Sequence, residues 1–237
     1  MNAIVKEVKE SLVACIDAKN LALSARYHKK GEAPKVFGVK MGEVSKIGKH
    51  SFQQIKHLPK KEIFELCDEL WKSGYLEESV VACIWAELLH KQYEPADFEI
   101  FGHWVNNYLT NWADCDMLCN HTIGNFIMLY PEYISELKKW ATSSKRFVRR
   151  AAAVTLIIPA RKGLFLNDIF EIADILLLDS DDLVQKGYGW MLKAASEAHQ
   201  KEVFNYVISK KSVMPRTALR YAIEKMPVEL RTEAMKK

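Results

Sequence analysis

Apolar residues recur at every third or fourth position through most of this chain. They come in short blocks interrupted by polar, glycine or proline breaks, the pattern of helices that each bury one face. Ile4, Val5, Val8, Leu12, Val13 and Ile16 share such a face within residues 2–27, where one or two amphipathic helices are expected. Lys29-Lys30-Gly31-Glu32-Ala33-Pro34-Lys35 breaks the pattern as a polar loop, followed by Val36-Phe37-Gly38-Val39-Lys40 and a short helix over 42–50. From Pro59 the rhythm is regular. Ile63, Phe64, Leu66, Cys67, Leu70 and Trp71 line a helix that ends at Gly74, and Val80, Val81, Ile84, Trp85, Leu88 and Leu89 line the next, over 77–91. Further pairs are predicted at 96–109 with 112–130, 131–142 with 144–160, 165–179 with 181–195, and 198–210 with 215–226. Pro131, Pro159, Gly163 and Pro215 fall at the joints, and strand-like alternation is almost absent.

These hairpins repeat. Val148-Arg149-Arg150-Ala151-Ala152-Ala153-Val154-Thr155-Leu156 lies over Val184-Gln185-Lys186-Gly187-Tyr188-Gly189-Trp190-Met191-Leu192 at an offset of 36 residues, and Val80-Val81-Ala82-Cys83 has a similar form. A valine, a polar or basic residue, then small residues opening a second helix resembles the HEAT repeat. The expected fold is therefore all-α, a HEAT-like repeat superhelical solenoid of antiparallel helix pairs with a concave basic face. It is expected to be a single domain over 1–237, with N-terminal helices and a cap in 1–58 and regular pairs in 59–237.

Composition agrees with a packed core: 49% of the 237 residues are hydrophobic, and ten Gly and seven Pro are few for a loop-rich chain. The net charge of +4 hides an asymmetry, because residues 138–237 hold 19 Lys/Arg against 11 Asp/Glu while the remainder is net acidic. A basic half suits a polyanion such as nucleic acid, although a solvated lysine-rich surface explains the charge alone equally well. Eight cations, Lys138, Lys139, Lys145, Arg146, Arg149, Arg150, Arg161 and Lys162, fall within 25 residues with no acid between the first and the last, so phosphate contacts are expected there. The five cysteines form no framework of close pairs, no signal core precedes Lys6, and no apolar run reaches the roughly 20 residues of a membrane span. A cytoplasmic, reduced, soluble chain is expected, nucleoid-associated when bound to DNA. Cys115 and Cys119 share a helix face but His121 lies on another, so no metal is expected.

The segment Asn111-Trp112-Ala113-Asp114-Cys115-Asp116 carries the candidate chemistry. Trp112 and Asp116 stand four residues apart, so an indole face and a carboxylate project from one side of a helix and can hold a cationic group. Taken singly, such a Trp is more often a packing residue and such an Asp more often answers the helix dipole. The ordered set is more informative: the Tyr27 region with Gly38-Val39, then Trp112-x-x-x-Asp116, Arg150-Ala151-Ala152, and Gln185-Lys186-x-x-Gly189-Trp190. In this order and spacing it resembles the AlkD-type DNA alkylation repair glycosylases, single-domain HEAT-like proteins, over nearly the whole chain.

The resemblance implies excision of cationic N3- and N7-alkylated purines from duplex DNA, with the base left stacked rather than flipped into a pocket. It implies that Asp116, Trp112 and Trp190 face the deoxyribose as catalytic groups. DNA binding falls to Arg150, Arg149, Arg146, Lys186 and Tyr27, with no cofactor and a monomer as the working state. Lys40 departs from the pattern, standing where an uncharged polar residue is expected. Two rivals come from other classes: a noncatalytic HEAT-like module that recognises DNA damage or shape, and a protein-binding solenoid with no nucleic-acid role.

Overall fold

The computed structural model describes residues 2–24 and 33–236, and every described element is helical apart from one isolated bridge between Lys35 and Tyr75. Two compact units divide between Leu118 and Cys119. In the first, the helices are α1 (Ala3–Ala14), α2 (Ala18–Ser24), α3 (Met41–Ile55), α4 (Lys60–Lys72), α5 (Leu76–Leu88), α6 (Asp97–Asn107) and α7 (Trp112–Met117).

The first unit is organised around α5. Every residue from Glu77 to Ala86 is buried, because α3, α4 and α7 all pack against this one helix. Such a helix has no polar side, which is why the sequence shows apolar and small residues all round it. Leu88, expected to point inward, is exposed. Trp85 is fully buried and anchors α3 through an indole hydrogen bond from Nε1 to the Gly48 carbonyl oxygen (2.9 Å). Between α4 and α6 an aromatic cluster fills the core, with Phe64 edge-on to both Phe101 and Trp104 at centroid distances of 5.8 Å.

In the second unit the helices are α8 (Gly124–Leu129), α9 (Ile134–Trp140), α10 (Arg146–Val154), α11 (Ile157–Arg161), α12 (Leu166–Leu176), α13 (Asp182–Ala195), α14 (Gln200–Lys210), α15 (Arg216–Ala222) and α16 (Val228–Met235). Here α13 takes the central place and packs against α10, α11, α12 and α15. The pairwise helix packing is that of a HEAT-like repeat, and the two segments that match at the 36-residue offset, α10 and α13, are neighbours. Small residues let them approach. A Cβ on Gly189 would lie 2.7 Å from the Tyr221 Cβ and 2.8 Å from the Ala218 carbonyl oxygen, so α13 and α15 cross at a distance only glycine permits.

Several predicted spans are subdivided. The helix expected over 112–130 is α7, a π-helical stretch Leu118–Ile123, and α8; the one over 144–160 breaks into α10 and α11 just before Pro159. Proline supplies no N–H to the helix ladder, and the chain re-enters a helix at Ile157 so that Pro159 falls in a first turn where none is needed. The helix near 42–50 extends to Ile55, and α16 was not expected.

Candidate functional site

Within the first unit the site is built on α7. Asn111 caps its start: the Asn111 Oδ1 accepts from the Asp114 backbone N–H (3.0 Å) while its side-chain amide donates to the Asp114 carboxyl. This arrangement satisfies one helix-start donor, the Asp114 N–H, and ties the cap side chain to the first turn of the six-residue helix. Trp112 and Asp116 are both half-buried, one turn apart, so the expected pairing of indole and carboxylate is present on a single short helix.

Beside α7 on the same α5 scaffold is the Phe37–Val39 loop. The Glu77 carboxylate, 1% exposed, accepts three of its backbone N–H groups: Phe37 to Oε2 (3.0 Å), and Gly38 and Val39 to Oε1 (2.7 and 3.1 Å). Gly38 adopts φ +89°, and an added Cβ there would fall 2.6 Å from the Leu21 Cβ, so both conformation and space require glycine. Lys40, which follows, is largely exposed, and its ammonium lies 3.1 Å from Asp17 Oδ2. That pairing holds the Asp17 carboxyl below the usual carboxylate range, with the Asn20 and Lys19 backbone N–H groups assisting. Tyr27 lies outside the described residues.

Asp114 is the unusual titratable group. It is 5% exposed, its Oδ1 has no hydrogen-bond partner among the described residues, and its carboxyl is pushed up to about 7. Burial is the main cause; the Asn111 amide and the nearby Ser79 hydroxyl oppose it weakly, and the Glu77 charge reinforces it. The Ser79 hydroxyl itself donates to the Tyr75 carbonyl oxygen (3.1 Å). Neither Asp114 nor Glu77 was singled out as a site residue from the sequence. The Asn111-x-x-Asp114 spacing signals the cap but not the burial.

In the second unit the basic residues sort into two kinds. Arg150 is 5% exposed; its Nη1 donates to the Leu183 carbonyl oxygen, and a Cβ on Gly187 would lie 3.3 Å from its Cγ, so α13 closes directly over it. Arg149 forks onto Asp179 through Nε (2.5 Å) and Nη2 (3.3 Å), while Nη1 donates to the carbonyls of Ser143 (2.9 Å) and Ser144 (3.0 Å). Both guanidinium groups tie α10 to the start of α13 or to the turn before it.

Arg146 and Lys186 are the more open pair. Arg146 lies 3.5 Å from Asp181 with its guanidinium 4.6 Å above the Phe147 ring, and Lys186 lies 3.2 Å from Asp182 on its own helix. Trp190 is half-buried one turn beyond Lys186, on the same face of α13. The cationic run 138–162 has no acid along the chain, but in space it does. Lys138 meets Asp168 and Glu171 (2.7 and 2.6 Å), Lys139 meets Glu136 (2.6 Å) and Arg161 meets Glu197 (3.5 Å), besides the Arg146 and Arg149 pairs. Glu136 apart, these acids come from the α12–α13 pair that follows the cations, a relation invisible to a count of sequence neighbours.

The model of one protein family, described as DNA alkylation repair enzyme, matches residues 8–226. The chain belongs to this family of DNA alkylation repair enzymes. As a member it is a DNA-binding repair protein of the all-α, HEAT-like class. Among solved structures, a predicted DNA alkylation repair enzyme from Enterococcus faecalis superposes with a TM-score of 0.76 at 16% identity, covering 88% of this chain and 95% of that one. An identity that low carries the fold alone. No curated protein matches. Among the described residues no group of three or more His, Cys, Asp or Glu side chains could hold a metal, and no helix is long and apolar enough to cross a membrane. Cys115 and Cys119 are buried cysteines outside any disulfide.

Proposed function

We propose that this repair enzyme is a DNA glycosylase that releases cationic N3- and N7-alkylated purines from duplex DNA. The observation that carries the reading is the pairing of Trp112 and Asp116 one turn apart and half-buried on the capped helix α7, in a chain of the alkylation repair family. An N-alkylated purine already bears positive charge and leaves as a neutral base, so the reaction needs no general acid. The task left to the protein is to stabilise an oxocarbenium-like deoxyribose. Asp116 supplies the compensating charge and orients the attacking water, and Trp112 presents an indole face to the cationic sugar; the same role for Trp190 rests on the resemblance alone. The base stays in the stack, so no deep base pocket is required.

Burial divides the basic residues. Arg146 and Lys186, which pair with Asp181 and Asp182 and are part-exposed, are proposed to meet DNA phosphate, exchanging those acids for it. Arg149 and Arg150 are proposed to act indirectly by holding the start of α13, and Tyr27 remains a DNA contact on the resemblance alone. The working form is proposed to be a monomer in the cytoplasm, nucleoid-associated on DNA, without metal or cofactor.

The lesion's charge is the test. Duplexes carrying N7-methylguanine, N3-methyladenine or the neutral bases hypoxanthine and uracil are incubated with the protein and free base is quantified. Release of the two cationic bases without the neutral ones is expected. Release of a neutral base at a comparable rate would require a general acid and overturn the mechanism.

A further inference from the structure

Asp114 and Glu77 are buried acids that the proposed reaction does not use, and they lie between its parts. Glu77 gathers three backbone N–H donors from Phe37, Gly38 and Val39 onto an acceptor-only carboxylate. The loop is moulded on the start of α5 around that charge: the Leu76 N–H donates to the Lys35 carbonyl oxygen (2.9 Å), and Phe37 stacks on Tyr75 at a centroid distance of 4.1 Å. On α7, which packs against α5, Asp114 points a carboxyl into the buried interior with one oxygen on the Asn111 amide and the other without a partner among the described residues.

Two charged carboxylates sharing a buried region with so few donors repel. Of the other titratable groups on these helices, Glu78 is oriented to Ser73 and Lys9, Cys115 is buried on α7, and Asp116 is half-buried two residues on. Among the described residues, no cation is among the groups acting on Asp114.

We propose that Asp114 is a positioning residue: as a neutral carboxylic acid beside the Glu77 carboxylate it keeps the first turn of α7 seated on α5. It thereby fixes where Trp112 and Asp116 stand relative to the Phe37–Val39 loop. The inference rests on the glycosylase reading for its consequence, but the seating of α7 is separable from it. Loss of the Asp114 proton leaves α7, only six residues long, to relieve the repulsion by moving away from α5, and Trp112 moves with it.

Two readouts on the same samples test this: single-turnover release of N7-methylguanine from duplex DNA, and the Trp112 contribution to tryptophan emission, taken as wild type minus Trp112→Phe. Both are followed from pH 5.5 to 9 in wild type and in Asp114→Asn, whose amide keeps the shape and cannot ionise. In wild type the rate is expected to fall roughly tenfold per pH unit above a midpoint near neutrality, with the Trp112 emission changing at the same midpoint. In Asp114→Asn both are flat across that interval. Glu77→Gln, which removes the opposing charge, moves the wild-type midpoint downward in pH if the pair is as described; a midpoint left in place or moved upward counts against the pair. The same alkaline fall in Asp114→Asn as in wild type, or a Trp112 emission flat in wild type, overturns the proposal. If neither protein releases base, the glycosylase reading fails, and the emission profile alone decides the positioning of α7.

Discussion

Replacing Asp114 by Asn gives a stability change whose size and pH dependence follow from the structure. In the folded protein burial, with Glu77 adding to it, pushes this carboxyl from an ordinary 3.8 up to about 7. A carboxyl whose folded value is raised favours the folded state fully below its unfolded value, and that advantage is lost as pH rises toward the folded value. The wild-type protein therefore loses stability between about pH 4 and pH 7 at roughly 1.4 kcal/mol per unit from this group, a total of about 4 kcal/mol, and nothing more above pH 7. Asparagine carries no such cost. Urea unfolding of both proteins at half-unit steps from pH 4.5 to 8.5 should show Asp114→Asn gaining on wild type up to neutrality and then holding a constant lead. Carboxyls that titrate elsewhere cancel in the difference. Asp68 is among them, held low by Lys72, Tyr108 and His103 although burial raises it. Parallel pH profiles for the two proteins would refute the assignment of Asp114 as the buried neutral acid.

Gly189→Ala should cost about 1–3 kcal/mol or more in urea unfolding, because the new Cβ meets the Ala218 carbonyl and Tyr221 Cβ where neither is the free end of a side chain. Arg149→Ala should destabilise by about 2–3 kcal/mol through loss of its four hydrogen bonds. It should nonetheless leave the salt dependence of duplex binding unchanged, whereas Lys186→Ala should lower the slope of log affinity against log salt by about 0.9. Lys60→Met strands Asp97, 6% exposed on its side chain and 2.8 Å from the Lys60 ammonium, and should cost about 3 kcal/mol by thermal or urea unfolding.

The helical class and the pairing of helices were legible because one-sided burial writes a 3.6-residue period into the sequence. Proline and glycine joints at Pro59, Gly74, Pro131 and Pro215 marked where helices begin or end. Where burial is all-round the period fades, so Leu88 on α5 was placed inward although it is exposed. The candidate pair on α7 was legible because a spacing of four is a local, helical fact. The ion pairs of the basic run are not legible in the sequence for the complementary reason: the partners of Lys138, Arg146, Arg149 and Arg161 lie 30 or more residues away, on α12 or in the turns that flank α13. Glu77 and Asp114 escaped notice because their peculiarity is burial beside one another, and an acid in a first helical turn reads as an answer to the helix dipole. The extra helix α16 has no apolar stripe, with only Ala234 buried, so periodicity had nothing to detect.

On the proposed mechanism Asp116 stabilises the sugar from which an alkylated purine departs. The most direct test is the single-turnover rate of N7-methylguanine release from duplex DNA by wild type and Asp116→Asn, with duplex affinity measured in parallel. Release by wild type that falls by roughly 100-fold or more in the variant, with affinity retained, is the result the account predicts. Equal release by the two proteins, or no release from wild type while DNA binding persists, would contradict it.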